Sequence, residues 1–278
     1  MNIVPVRLPI GVAGALFLAV LLSGARAEDA SPWIRDSHSS VRLIAGSRSG
    51  NVFLGGISFE IQPGWKTYWR TPGDSGVPPR FDFSKSENVE TVTILWPAPM
   101  KFPDGNAGIS FGYQKQVILP LRILAKNAHK PVTLRAAINY AVCEKLCVPV
   151  EANAELNFIS ESSTEDNNIS AALDAVPKPA KIGDANALTI RGVRRDGKIG
   201  VIVDVVAADG KDADLFAEGP TLDWALPVPK LVKREANGVQ RFAFDLDGLP
   251  PGASADNAML KLTLSGNAGA TEYNVNLK

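Results

Sequence analysis

Cys143 and Cys147 are the only cysteines in this 278-residue chain, and three residues separate them in "YAVCEKLCVPV". Two thiols this close admit three chemistries. Joined for good, they form a structural staple. Cycling between dithiol and disulfide, they carry two electrons by thiol exchange. As paired thiolates they suit a soft ion such as Cu(I). A tetrahedral zinc site would need two more ligands. The two histidines, His38 and His129, stand at no recognisable ligand spacing and read as surface residues, while Met100 and Met259 are isolated. Zinc is therefore set aside, with copper through Cys143 and Cys147 kept as the alternative metal reading.

The flanking residues indicate how the cysteines are held. In "VTLRAAINYAV", Val132, Leu134, Ala136, Ile138, Tyr140 and Val142 alternate with polar or small residues, and "VEANAELNF" repeats the pattern through Val150, Ala152, Ala154, Leu156 and Phe158. Period-two alternation of this kind marks half-buried strands. Glu144-Lys145-Leu146 is then a three-residue hairpin loop, and the two cysteines oppose each other across the ladder, where Cβ atoms approach to ~4.5–5.5 Å. A disulfide, at ~3.5–4.5 Å between Cβ atoms, is within reach. Both cysteines fall on the polar parity of their strands, away from the apolar face. The ring closed is short, so the chain-entropy model gives a bridge only about 2 kcal/mol of stabilisation. Passive staple and redox pair both stand at this point.

The same alternation recurs along the chain. Ile57, Phe59 and Ile61 share a face, as do Val92, Ile94 and Trp96, and Val117, Leu119, Leu121 and Ile123. With 24 Gly and 20 Pro and no long helical pattern, the composition points to many short strands joined by turns. The stretches 71–79 and 102–108 are rich in turn formers and read as ordered loops of the kind that carry function. Trp65, Trp69 and Trp96 read as packing residues.

At the amino end, Arg7, an apolar run over 9–22 and Ala25-Arg26-Ala27 have the layout of a cleavable secretory signal over 1–27. The run is shorter than the ~20 residues of a membrane span. An exported, periplasmic protein is expected, where disulfides persist. Residues 28–278 carry 27 basic and 29 acidic side chains, a formal charge of −2 that offers nothing to nucleic acid or to an anionic membrane. A first β domain is expected over 28–160, a linker with a short helix over 161–185 and a second β domain over 186–278. One decoy is "GISFG" at 108–112, which fits the hydrolase elbow around Ser110. That elbow needs a helix after the serine, and "YQKQVILPLRI" reads as strand.

The segments "PGWKTYWRTPGDSGVPPRFDFSKSENV", "ILWPAPMKF", "FGYQKQVILPLRI" and "YAVCEKLCVPVEA", in this order, resemble the N-terminal periplasmic domain family of the thiol:disulfide interchange protein DsbD. The nearer likeness is to the ScsB-type (suppressor of copper sensitivity) branch. It covers about 31–160, and "FAEGPTLDWALPVPKLV" extends it into the second β segment. The resemblance implies an all-β chain, an immunoglobulin-like β-sandwich followed by a smaller second β-sandwich-like domain. It implies a protein-disulfide reductase type of relay in which Cys143 and Cys147 take electrons from a membrane-embedded thiol donor and pass them to periplasmic thioredoxin-fold proteins, with no cofactor. Cys147 would form the mixed disulfide and Cys143 resolve it. A cap over the pair maps to 101–112, with Phe102 or Phe111 as its aromatic lid and Asp104 as its one acid, and Tyr68 maps to an aromatic packed near the pair. DsbD itself has a longer insert between its cysteines and a denser acidic-aromatic cap. The membrane carrier has no counterpart in these 278 residues, so a donor encoded elsewhere is expected. A copper-tolerance protein and a redox-inert β adaptor are the alternatives.

Overall fold

The computed structural model describes Met1 and residues 28–104, 108–208 and 210–277. The signal-peptide expectation lies outside the described residues apart from Met1, as do residues 105–107 of the expected cap. Among the described residues no helix is long and apolar enough to cross a membrane.

Among the described residues, nineteen strands and one short helix follow one another. The first eleven strands are β1 (Ile34–Arg35), β2 (Ser39–Ser49), β3 (Val52–Ile61), β4 (Lys66–Gly73), β5 (Arg80–Asp82), β6 (Val89–Ile94), β7 (Met100–Asp104), β8 (Gly108–Gln114), β9 (Gln116–Ala125), β10 (Val132–Cys143) and β11 (Cys147–Phe158). They form two sheets, β1-β2-β3-β9-β6 and β11-β10-β4-β8-β7, with β5 added beside β10. The alternating residues read from the sequence face each other between these sheets. Ile57, Leu121, Ile123, Val132, Leu134 and Val142 are fully buried there. Each such side chain contributes about 1.5–3 kcal/mol through loss of apolar surface to water. This is the expected all-β sandwich, immunoglobulin-like in its two packed antiparallel sheets.

Helix α1 (Asp166–Asp174) follows, and its one fully buried residue, Ile169, faces the first sandwich. The second, smaller sandwich comprises β12 (Lys178–Pro179), β13 (Leu188–Asp196), β14 (Gly200–Ala207), β15 (Asp214–Glu218), β16 (Lys230–Arg234), β17 (Val239–Asp245), β18 (Met259–Gly266) and β19 (Gly269–Asn276). Its sheets run β12-β19-β18-β15 and β13-β14-β17-β16. It has a core of its own around Ile190, Val203, Leu215, Leu262 and Tyr273. The two units share an apolar seam, because Phe216 and Val228 of the second belong to the core of the first.

Three sequence expectations resolve here. Ser110 lies on β8, which leads into strand β9 rather than a helix, so no nucleophile elbow forms. Trp69 is fully buried, in keeping with a packing role. His38 is not a plain surface residue: it is half-buried and stacks on Trp65, with ring centroids 3.7 Å apart.

Candidate functional site

β10 and β11 pair in unbroken antiparallel register from Val132↔Phe158 to Cys143↔Cys147, so the hairpin loop is Glu144-Lys145-Leu146. The two cysteines form a disulfide, with Cα atoms 4.2 Å apart. The alternation of side chains fixes where the sulfurs point. Val142 and Val150 enter the core, which leaves Cys143 on the outer face of the sheet.

On its other side, β10 reaches β4, where Cys143 sits opposite Lys66. Tyr68 is two residues further along and therefore on the same face as Lys66. Its hydroxyl donates to Cys143 Sγ at 2.9 Å and lies 3.2 Å from Cys147 Sγ. Tyr68, Ala141 and Cys143 form a small buried cluster apart from the sandwich core. Burial first, and then the charge of Asp104, push the Tyr68 pKa above its ordinary value. The hydroxyl thus remains a protonated donor across the neutral range.

The disulfide is asymmetric. Cys143 is 2% exposed, whereas Cys147 is open to solvent. Between the sulfurs and solvent runs a cleft of about 510 Å³, bounded by both cysteines, Lys66, Tyr68, Val77 and Lys145. The turn residues Glu144 and Lys145 are solvated. Val77 and Leu146, both large apolar side chains, are exposed at the rim.

Among the described residues, the loop after β4 rests on Tyr68. A Cβ built on Gly76 would lie 2.6 Å from the Tyr68 ring, so the backbone there rests directly on the tyrosine and has no room for a side chain. Asp104, at the end of β7, ties this loop down: it pairs with Lys66 Nζ and accepts a hydrogen bond from Ser75 Oγ at 2.7 Å. Burial works against the Asp104 charge, but the hydrogen bonds from Lys66 and Ser75 outweigh it and hold its pKa below the ordinary carboxylate value. Asp74 also bonds β8, donating its backbone N–H to Ile109 O at 2.9 Å and accepting from Ile109 N through Oδ2 at 3.0 Å.

Of the residues expected at the site, Cys143, Cys147, Tyr68 and Asp104 meet in this cleft. Phe102 is buried just behind it, with Lys66 Nζ 5.5 Å from its ring centroid. Phe111 is a correction. It packs in the sandwich core, edge-on to Phe216 at 4.8 Å, and does not shield the sulfurs. Alternation explains the difference: Gly112, not Phe111, is the β8 residue opposite Tyr68. Lys66 and Ser75 are site residues that the sequence reading does not single out. The signal for Lys66 was present, since a strand that turns Tyr68 toward the pair turns Lys66 the same way.

Among the described residues no group of three or more His, Cys, Asp or Glu is arranged to hold a metal ion. A Cu(I) site would need both cysteines as thiolates, a form open only to the reduced pair.

Residues 40–159 match the family model described as "Thiol:disulfide interchange protein DsbD, N-terminal". The N-terminal periplasmic domain of ScsB from Proteus mirabilis is similar in structure. It aligns over 90% of this chain and 98% of its own, at 18% identity with a TM-score of 0.71, a likeness of fold. A conserved domain protein from Bacillus anthracis aligns over 86% of this chain and 76% of its own, but at 9% identity and a TM-score of 0.23. No curated protein matches the chain.

Proposed function

We propose, from the match of residues 40–159 to the DsbD N-terminal family model, that this chain is a periplasmic thiol:disulfide interchange protein. In this reading Cys143 and Cys147 relay reducing equivalents from a membrane-embedded thiol donor to periplasmic thioredoxin-fold clients. The observation that carries it is the asymmetry of the pair: one sulfur is open to an incoming thiolate while its partner is buried under a hydroxyl donor.

A donor thiolate attacks Cys147 Sγ. The new bond joins the donor sulfur to Cys147, the Cys143–Cys147 bond breaks, and Cys143 leaves as a thiolate. Tyr68 donates its O–H to that thiolate, a charge-assisted bond stronger than the one it makes to a disulfide sulfur. Lys66 lines the same cleft, its ammonium shared with the Asp104 carboxylate. The donor's second thiolate then attacks its own sulfur in the mixed disulfide and frees Cys147, so two electrons have moved to this chain. In the second half, Cys147 attacks a client disulfide, and Cys143 attacks Cys147 Sγ to release the client as a dithiol. Val77 and Leu146 at the cleft rim give a partner apolar surface beside the reacting sulfur.

The test is capture. The Cys143→Ala chain retains Cys147 but cannot resolve. In periplasmic and membrane extracts it is expected to form an adduct that dithiothreitol releases and that is missing from Cys147→Ala. If no adduct forms and no membrane thiol reduces the native disulfide, the relay is wrong and a redox-inert adaptor takes its place.

A further inference from the structure

β4 does not run straight through its sheet. Tyr68 pairs with Gly112 and Gly73 pairs with Ser110, so four residues, Trp69 to Pro72, stand opposite the single residue Phe111. This bulge leaves the ladder and docks on the second sandwich. Trp69 meets the edge of Phe216 at 5.7 Å between ring centroids. Arg70 donates to both carboxylate oxygens of Glu218, at 2.9 and 2.7 Å, and to Glu272 at 2.7 Å. Thr71 Oγ1 donates to Glu218 at 2.8 Å.

These groups are well shielded: the Arg70 side chain is 17% exposed and that of Glu218 only 9%. Burial opposes the guanidinium charge, yet the hydrogen bonds and charges of Glu218 and Glu272 outweigh it and hold Arg70 more firmly protonated than usual. Buried ion networks seldom add much net stability, because desolvation offsets the attraction. A planar fork held at three oxygens does fix direction, and what it fixes here is the middle of β4.

Both ends of that bulge belong to the redox centre. Tyr68, touching both sulfurs, is the residue before it. Beyond its far end, Gly76 lies on the Tyr68 ring. We propose that the second sandwich is a positioning element for the disulfide: Glu218 and Glu272, through Arg70 and Thr71, hold the Tyr68 hydroxyl against Cys143. Arg70, Glu218 and Glu272 are positioning residues and touch no reacting atom. This rests on the redox reading of the pair.

The test uses the full oxidised chain and the rate at which a small dithiol reduces it. Cys147 is already open, so loosening the cover adds little access, and the effect to be read is the loss of a donor to the departing Cys143 thiolate. Tyr68→Phe is expected to slow reduction about threefold to tenfold, the range of a weakened hydrogen bond to a charged sulfur. Glu218→Gln with Glu272→Gln is expected to slow it to a similar degree, and the triple variant no further, because all three changes remove one interaction. A native rate in the folded double variant, or full additivity with Tyr68→Phe, overturns the proposal. If the double variant does not fold, Thr71→Val carries the test, with slowing of about twofold expected and no slowing overturning it. Because a small dithiol needs no protein partner, failure here is distinct from failure to capture one.

Discussion

Cys143 and Cys147 share one bond but not one environment: the first lies beneath Tyr68 at 2% exposure, the second opens to solvent. That inequality, rather than the spacing of the cysteines, gives the pair a direction. In the proposed relay an incoming sulfur meets Cys147, and the charge it displaces falls on Cys143, whose sulfur lies 2.9 Å from the Tyr68 hydroxyl.

The first expectation concerns access. In the reduced chain Cys147 should react with a small alkylating agent at least about tenfold faster than Cys143, since exposed thiolates react and buried thiols are inert. Mass spectrometry of peptides after brief labelling reads the ratio directly. Equal labelling would mean that Tyr68 does not cover Cys143 once the bond is open.

A second concerns what the disulfide contributes to folding. It closes a hairpin only four residues apart in sequence, so reduction should lower stability by about 2 kcal/mol. Urea unfolding of oxidised and reduced chains measures the difference. A loss near 5 kcal/mol would identify the bridge as a staple.

Gly112 offers a third. A Cβ there would stand 1.9 Å from the Thr67 carbonyl oxygen, and neither backbone can yield cheaply. Gly112→Ala is expected to cost about 3 kcal/mol or more and to spread β4 from β8 beside Tyr68. Slower reduction of the disulfide should accompany the drop in the urea midpoint.

Acid sensitivity gives a fourth. Hydrogen bonds from Arg241 above all, and from Arg194, hold the Asp204 carboxyl below its ordinary 3.8. The unfolded chain therefore takes up that proton more readily than the folded one. The stabilisation is complete above about 3.8 and is lost as the pH falls through the lower folded value. Asp204→Asn should flatten the acid limb of a stability profile. Asp104, also held below its ordinary value, leaves part of the slope in place.

Much of this was written in the order of the residues. Alternating apolar positions from Val132 to Val142 and from Val150 to Phe158 dictate two strands with one buried face, and a three-residue loop between them sets Cys143 against Cys147. Period two leaves no freedom in which face each side chain takes. Those local rules sufficed for the hairpin, the sandwich and the outward parity of both cysteines.

They did not suffice for the surroundings of the sulfurs, because those come from segments far away along the chain. Tyr68 lies 75 residues from Cys143, and Glu218 lies 148 from Arg70. Parity alone would leave Cys143 on an exposed face, yet Tyr68 packs against it and buries it, with Gly76 resting on the tyrosine ring. Parity also could not separate Phe111 from the cap until strand pairing placed Gly112 opposite Tyr68. Alternation is a property of one strand; cover, ion pairing and the accessibility of one sulfur over the other exist only once separate strands have met.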